Sequence, residues 1–291
     1  MGEKVLVTGG TGYIGSHTVV ELQNAGFKAV IADNLSNSRI EVVDSIAKIT
    51  GRKPEFEKVD LSSAEECKQL FEKHPGIGSI IHFAAYKSVG ESVDKPLEYY
   101  HNNINSLINI LNNMHRLGIR HMVFSSSCTV YGQPDQLPVT EETPRKPAQS
   151  PYGNTKAICE DIIRDFCKAQ ADYSCIALRY FNPIGAHPSA LIGELPLGVP
   201  NNLVPFITQT AAGIRKELSI FGDDYNTPDG TAIRDYINVV DLSKAHVVAI
   251  KRLIDNKQKN NYEYFNIGTG TGLSVMELVQ TFIKVTGVNL P

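Results

Sequence analysis

The sequence predicts an α/β fold, a doubly wound parallel sheet with a smaller C-terminal region, and three observations carry that prediction. Short runs that are apolar throughout alternate with longer stretches of helical spacing over the first 180 residues. A glycine-rich turn, "VTGGTGYIG", joins the first apolar run to the first helical stretch. After Tyr180 the texture changes to a segment rich in Pro, Gly and Asn. Strands without polar alternation are buried on both faces, and helices between them are the crossovers that parallel neighbours need.

In chain order the candidate strands are Val5–Val7, Ala29–Ala32, Phe56–Val59, Ser79–Phe83, His121–Ser125 and Cys175–Tyr180. Candidate helices between them are Tyr13–Ala25, Ala64–Lys73, Tyr99–Leu117 and Pro151–Gln170, each with apolar residues at helical spacing. In such a sheet the ligand crevice lies at the strand C-termini. "NPIGAHPSALIGELPLGVPNNLVP" (Asn182–Pro205) is long for a connection, and its apolar punctuation favours a segment that wraps a ligand over a disordered one. A domain change is therefore expected near residue 180, dividing 1–180 from 181–291, with "EYFNIG" (Glu263–Gly268) a candidate to return to the sheet. "GTGTGLSVMEL" reads as a flexible turn into a helix capped by Ser274 and Glu277. It reads less well as a second phosphate loop, because no long βαβ unit follows.

Composition narrows the class. The 291 residues carry 28 basic and 31 acidic side chains without a block of either sign, which gives no electrostatic case for nucleic acid or an anionic membrane. Five cysteines, odd in number and without a CxxC pair, suggest neither a disulfide framework nor a metal site, and a reducing, cytoplasmic setting is expected. The N-terminus enters "VLVTGG" at once, leaving no room for a signal peptide. Leu6 stands where a myristoylation signal beginning at Gly2 wants Ser or Thr. No apolar stretch is long enough to span a bilayer.

The glycines set the cofactor class. Gly9, Gly12 and Gly15 fit a GxxGxxG spacing, while Gly10, Gly12 and Gly15 also fit GxGxxG. Either set lets the chain turn tightly and brings backbone N–H groups and a helix N-terminus up to a pyrophosphate. Following a strand and opening a helix, the motif has the context of a Rossmann-type dinucleotide site. Asp33 ends the second strand, eighteen residues after Gly15, and no arginine stands near it before Arg39. A carboxylate there accepts from the adenosine ribose hydroxyls and repels a 2′-phosphate, so NAD is expected over NADP. The other reading of Asp33 is a cap for the turn "DNLSNS".

"SPYGNTK" (Ser150–Lys156) supplies the chemistry. Ser150 can N-cap a helix with Pro151 in its first turn, which puts Tyr152 and Lys156 four apart on one face. The helix follows the strand extension "FSSSCTVYG" (Phe124–Gly132), whose serines reach the crevice edge. Taking a hydride from a secondary alcohol requires a base for its hydroxyl proton, and a phenol of pKa about 10 is a poor one at neutrality. Moving it to about 7 takes roughly 4 kcal/mol of differential stabilisation. An ammonium one turn away and a positive nicotinamide have the sign to supply it. With twelve tyrosines in the chain, a YxxxK match is cheap, and the plain alternative is a packing aromatic with a solvated lysine.

Longer motifs are more specific: "VTGGTGYIGSHT", "DNLSNS", "IHFAAYKSVGESV", "PLEYYHNN", "FSSSCTVYG", "SPYGNTK", "RYFNPIGAHPS", "PNNL" and "GTAIRDYINVVDL". Through them the chain resembles the extended short-chain dehydrogenase/reductase family, and within it the UDP-glucose 4-epimerases, over essentially its whole length. The resemblance implies Ser127, Tyr152 and Lys156 as the catalytic set. It implies NAD contacts, beyond the glycines, from Tyr13, Ile14, Asp33, Asn34, Asn37, Ser38, Asp60, Leu61, Phe83, Ala84, Lys87, Asn102 and Phe181, with Tyr152 and Lys156. For a UDP-sugar it implies Asn182, Asn202, Leu203, Phe221 and Arg234, with Ser127 and Tyr152. An arginine suits a diphosphate because its fork bonds two oxygens together; Arg234 could instead pair with Asp235 or Asp241.

The implied reaction is reversible oxidation at the sugar C4′, and the implied assembly is a homodimer through Tyr99–Leu117 and Pro151–Gln170. The residues alone allow those helices to pack within one chain. Ala85-Tyr86 stands where the family usually has Gly-Leu, and Asn238 where a histidine is common. Members continue for several tens of residues beyond the equivalent of Pro291, so the chain is expected to be incomplete at its C-terminus. Related dehydratases carry acidic residues where Cys128 and Thr129 stand, and a non-catalytic NAD-binding regulator would be free to lose Tyr152 or Lys156.

Overall fold

Strand β1 (Lys4–Thr8) shows why the apolar runs are unbroken. Val5 and Val7 enter the core on one face of the sheet and Leu6 the core on the other, so the middle of the strand leaves no position for an exposed polar side chain. The computed structural model describes residues 2–291. From β1 the chain runs through α1 (Tyr13–Asn24), β2 (Lys28–Asp33), α2 (Glu41–Thr50), β3 (Glu55–Lys58), α3 (Ala64–Lys73), β4 (Ile77–His82), α4 (Val89–Asp94), α5 (Pro96–Leu117), β5 (His121–Ser127), α6 (Pro151–Ala169) and β6 (Ser174–Tyr180). It continues through β7 (Asn182–Ile184), α7 (Leu203–Ala211), β8 (Ile233–Asn238), α8 (Val239–Ile254), β9 (Tyr262–Ile267), β10 (Gly272–Ser274) and α9 (Val275–Thr286).

The large sheet has the order β3-β2-β1-β4-β5-β6-β9, parallel throughout. Crossovers leave β1 in one direction and β4 in the other, which makes the gap between their C-terminal ends the switch point of the topology. One face is covered by α3, α5 and α6 through residues such as Phe71, Ile110, Met114 and Ile163. The opposite face is covered by α1, α2 and α8 through Val19, Ile46, Val247 and Ile250. Helix α8 and strand β9 thus belong to this layer although they lie beyond residue 180, and β9 pairs with β6 along its length.

Local chemistry sets the ends of these elements. Ser150 Oγ accepts from Gly153 N at 3.1 Å and Pro151 occupies the first turn, so α6 starts where the sequence places it. Ser274 and Glu277 close a capping box at the start of α9. Strand β5 runs two residues further than its apolar run, to Ser127, because pairing with β6 continues through Ser126 and Ser127. A second, three-stranded sheet, β10-β8-β7, stands beyond the C-terminal edge of the first. In the "GTGTG" turn, Thr269 N and Gly270 N both donate to the Asp235 carboxylate, at 2.9–3.0 Å. Those N–H groups hold the turn to β8.

Candidate active site

At the switch point the chain leaving β1 turns on itself. Gly9 has φ +68 and donates to Ala32 O at 2.8 Å, while Gly12 N donates back to Gly9 O at 3.1 Å. A Cβ on Gly15 would stand 2.2 Å from Gly9 O, so α1 can press against the turn only because position 15 has no side chain. Helix α1 has no side-chain cap and no acidic residue in its first turn. Its first N–H groups and the positive end of its dipole face the crevice. This cradle fits a dinucleotide pyrophosphate.

Asp33, buried at the end of β2, does two things. Its Oδ2 accepts from Thr11 N at 3.2 Å, and its Oδ1 accepts from Leu35 N at 2.9 Å and Ser38 Oγ at 3.1 Å. The carboxylate therefore caps its own turn and ties it to the phosphate loop. It also lines the cleft, so capping its turn does not withdraw it from there.

The cleft holds about 2000 Å³ of space, counting its open mouth. It brings together Gly9, Gly12, Tyr13, Ile14, Gly15, Asp33, Asn34, Asn37 and Ser38 with Asp60, Leu61, Phe83, Ala84, Lys87 and Asn102. Ser127, Tyr152, Lys156, Phe181, Asn182 and Asn202 complete the far end. Three expected residues do not line it. Leu203 opens α7 next to Asn202, Phe221 is 87% exposed, and Arg234 is exposed on β8 with Nη1 donating to Ile233 O at 2.8 Å. Neither sequence partner holds Arg234: Asp235 is taken by the 269–270 turn, and Asp241 pairs with Lys244 at 3.8 Å. The Arg234 charge nevertheless reaches Cys128, a cleft residue, where it opposes the upward pull of burial on the thiol.

The far end carries the reactive groups. Lys156 is buried, with Nζ donating to Ser125 O at 2.6 Å and lying 4.9 Å from the Phe124 ring and 5.9 Å from the Tyr152 ring. Burial lowers it to about 8, against the opposing pull of Cys159 and Glu160, so below that pH it remains an ammonium. The Tyr152 phenol is pushed upward, first by desolvation and then by Tyr180, while a hydrogen bond with Ser127 opposes the rise. Ser127 Oγ also accepts from Thr129 N at 3.2 Å, which leaves its proton for the phenol or a ligand. Serine, tyrosine and lysine are thus together, in a site where desolvation keeps the phenol protonated until further positive charge arrives.

A family model, described as the NAD dependent epimerase/dehydratase family, matches residues 5–268. The chain belongs to that family. Similar curated members include the UDP-glucose 4-epimerase of Dictyostelium discoideum, 50% identical over 289 residues that cover 99% of this chain and 83% of that protein. The UDP-glucose 4-epimerase of Bacillus subtilis is 49% identical over 287 residues, with the same coverage. Among solved structures, the UDP-glucose 4-epimerase of Stenotrophomonas maltophila, with bound NAD and formylated UDP-arabinopyranose, superposes with a TM-score of 0.94 at 48% identity. The enzyme of Bifidobacterium longum, in complex with NAD+ and UDP, gives 0.93 at 44%. Each of these comparisons covers 99% of this chain and 84% of the other.

Within this epimerase/dehydratase site, several residues carry no sequence signal. Thr8 Oγ1 accepts from Phe83 N and Ala84 N at 3.2 Å and bonds buried His82 Nδ1 at 2.8 Å. It thereby shapes the turn facing the phosphate loop. Asn103 accepts from Tyr86 N at 2.8 Å and donates to Thr155 Oγ1 at 3.0 Å, and Thr155 donates to Tyr152 O at 2.7 Å. Glu194 accepts from Lys87 Nζ at 3.2 Å and Asn202 Nδ2 at 2.5 Å. The Thr8–His82, Asn103–Thr155 and Lys87–Glu194 contacts span 74, 52 and 107 positions in sequence, too far for spacing to reveal.

Proposed function

We infer that this chain interconverts UDP-glucose and UDP-galactose by reversible oxidation at C4′, through a 4-keto sugar, with NAD as the resident cofactor. One observation carries the reading. Ser127, Tyr152 and Lys156 meet at the end of a dinucleotide cleft, in a chain about half identical to UDP-glucose 4-epimerases along its whole length. The Gly9–Gly15 cradle would hold the pyrophosphate and Asp33 the adenosine ribose. NAD⁺, when bound, supplies a hydride acceptor and a positive ring.

The protein's own groups manage the proton. Tyr152 accepts it from the 4′-hydroxyl, directly or through Ser127, and later returns it. Lys156, an ammonium below about pH 8, favours the phenolate by its charge. Ser127 holds the sugar oxygen by donating to it. Asn182, Asn202, Leu203, Phe221 and Arg234 hold the UDP portion, with Arg234 on the diphosphate. We assign the sugar-nucleotide side to residues 181–291, with α8 and β9 counted with the sheet. We further propose a homodimer through α5 and α6, supported by the exposed Leu97, Ile108 and Leu117 on α5. A cytoplasmic setting is proposed on the five free cysteines. Among the described residues no helix is long and apolar enough to cross a membrane.

The test is direct. Purified protein is denatured in acid and the released NAD measured, and intact protein is assayed for UDP-glucose formed from UDP-galactose. About one NAD per chain with turnover is expected; NAD without turnover, or no NAD, overturns the reading.

A further inference from the structure

One turn beyond Lys156, Glu160 is buried with 1% of its side chain exposed. Its Oε1 accepts from Ser126 Oγ at 2.5 Å and Arg179 Nε at 2.9 Å, and its Oε2 accepts from Arg179 Nη2 at 2.6 Å. Arg145 approaches Oε2 at 3.6 Å from the partly exposed side. Ser126 and Arg179 are register partners on β5 and β6, so a single carboxylate on α6 grips two neighbouring strands. The guanidinium is itself fixed: Nη1 donates to the Tyr131 phenol at 3.0 Å, and Cζ lies 4.0 Å from the Tyr264 ring centre. Glu160, Ser126 and Arg179 do not line the cleft, so ligand contact does not explain them. Nor is stability a sufficient reason, because well-packed apolar residues commonly match or exceed a buried ion pair.

The reacting groups straddle the same junction. Tyr152 and Lys156 ride on α6, whereas Ser127 and the Ser125 carbonyl that holds Lys156 belong to β5. Any slip or rotation of α6 against β5 would part all of them together. We propose that Glu160, through Ser126 and Arg179, is the positioning residue that sets the tyrosine–lysine helix against the serine strand. The assignment rests on the function inferred above.

A second effect follows from charge. Facing Lys156 are Tyr152 and Cys159 on its own helix, the Ser125 carbonyl and Phe124 ring on β5, and His82 on β4, which burial keeps neutral, while Tyr180 on β6 acts on Tyr152. Glu160 is the carboxylate acting on it, and it favours the ammonium against desolvation.

The test is Glu160→Gln, which keeps the shape and removes the charge. Turnover is expected to fall by about tenfold or more, as small misplacements at a reacting centre do, with KM for the UDP-sugar and bound NAD little changed. The alkaline limb of the kcat–pH profile is expected to move to lower pH. In protein carrying [ε-13C]lysine, the signal assigned by its loss in Lys156→Arg is expected to titrate at lower pH in Glu160→Gln. A folded Glu160→Gln protein with normal kcat, alkaline limb and Lys156 titration overturns the proposal. Should Gln fail to fold, the double variant Glu160→Leu/Arg179→Met removes both charges. The same loss of turnover supports the proposal, and a normal kcat overturns it. If the unchanged chain shows no epimerisation, the inferred function falls, while the Lys156 titration still decides this proposal.

Discussion

Around the phosphate loop main-chain groups and short buried side chains lock one another: Gly9 N to Ala32 O, Gly12 N to Gly9 O, Thr11 N to the Asp33 carboxylate, and the Phe83 and Ala84 N–H groups to the Thr8 hydroxyl. Around the expected UDP groups, by contrast, Phe221 stands 87% exposed and Arg234 bonds only the carbonyl beside it. The first region hangs on the C-terminal ends of a sheet buried on both faces. The second hangs on a small sheet and long loops. A preorganised half and an adaptable half suit a reaction in which a coenzyme stays put while a sugar ring must turn over.

The comparison breaks most sharply at the junction of the halves. Tyr152→Phe keeps the ring and removes the hydroxyl that Ser127 bonds. kcat is expected to fall by roughly two to four orders of magnitude, the usual worth of a positioned acid–base group, with NAD still bound after gel filtration. Near-normal turnover would mean that another group carries the proton.

Within the locked half, Gly15→Val drives a branched side chain onto a position where even a Cβ lies 2.2 Å from Gly9 O. Overpacking of this kind costs roughly 1–3 kcal/mol, and here the strain falls on the cradle itself. Protein isolated without NAD and with a lowered Tm is expected. Gly90→Ala in α4, where a Cβ meets nothing within 4 Å, is the matched control and should retain its NAD. In the adaptable half, Arg234→Ala is expected to raise KM for UDP-galactose about tenfold or more, the scale of a lost hydrogen bond to a charged group, with NAD content and Tm unchanged. An unchanged KM would remove Arg234 from the diphosphate.

The same contrast decides what could be read from sequence. The parallel sheet was legible because two-sided burial writes itself as unbroken apolar runs, and α3 because its apolar residues keep helical spacing within sharp ends. The cofactor half was legible because glycine is demanded by backbone geometry at fixed short spacings. Tyr152 and Lys156 stood out by helical spacing together with the capping Ser150. Glu160 did not, since a glutamate four residues after a lysine reads as a solvated surface pair, and the strand residues it grips give no local sign. Helix α8 carries the apolar period of its buried face, yet it comes after a loop-rich stretch, and only tertiary pairing returns it to the large sheet.

The smallest expected effect concerns acid stability, and it too belongs to the locked half. His82 lies behind the Phe83–Ala84 turn, and His246 packs with ring centroids 4.6 Å from Phe83 and 5.9 Å from Tyr180. Burial lowers His82 to about 3 and His246 to about 4. Unfolded, each takes up a proton near 6.5, whereas the folded protein excludes it until far lower pH. The unfolded chain therefore binds more protons throughout that window, and stability declines as pH falls from about 6.5 toward 4. Tm measured from pH 7.5 to 4.5 is expected to drop, with NAD released over the same range. Buried His17, lowered to about 4 by desolvation, adds another such proton. His246→Phe removes one of these protons, together with a buried Nε2 that has no partner. It is expected to flatten that slope while leaving Tm at pH 7.5 equal or higher. A slope unchanged by the substitution would place the acid sensitivity elsewhere, with the first candidates His17 and His82, lowered by burial, and then Glu55 and Glu57, whose carboxyls are held low by His74 and Lys73 respectively.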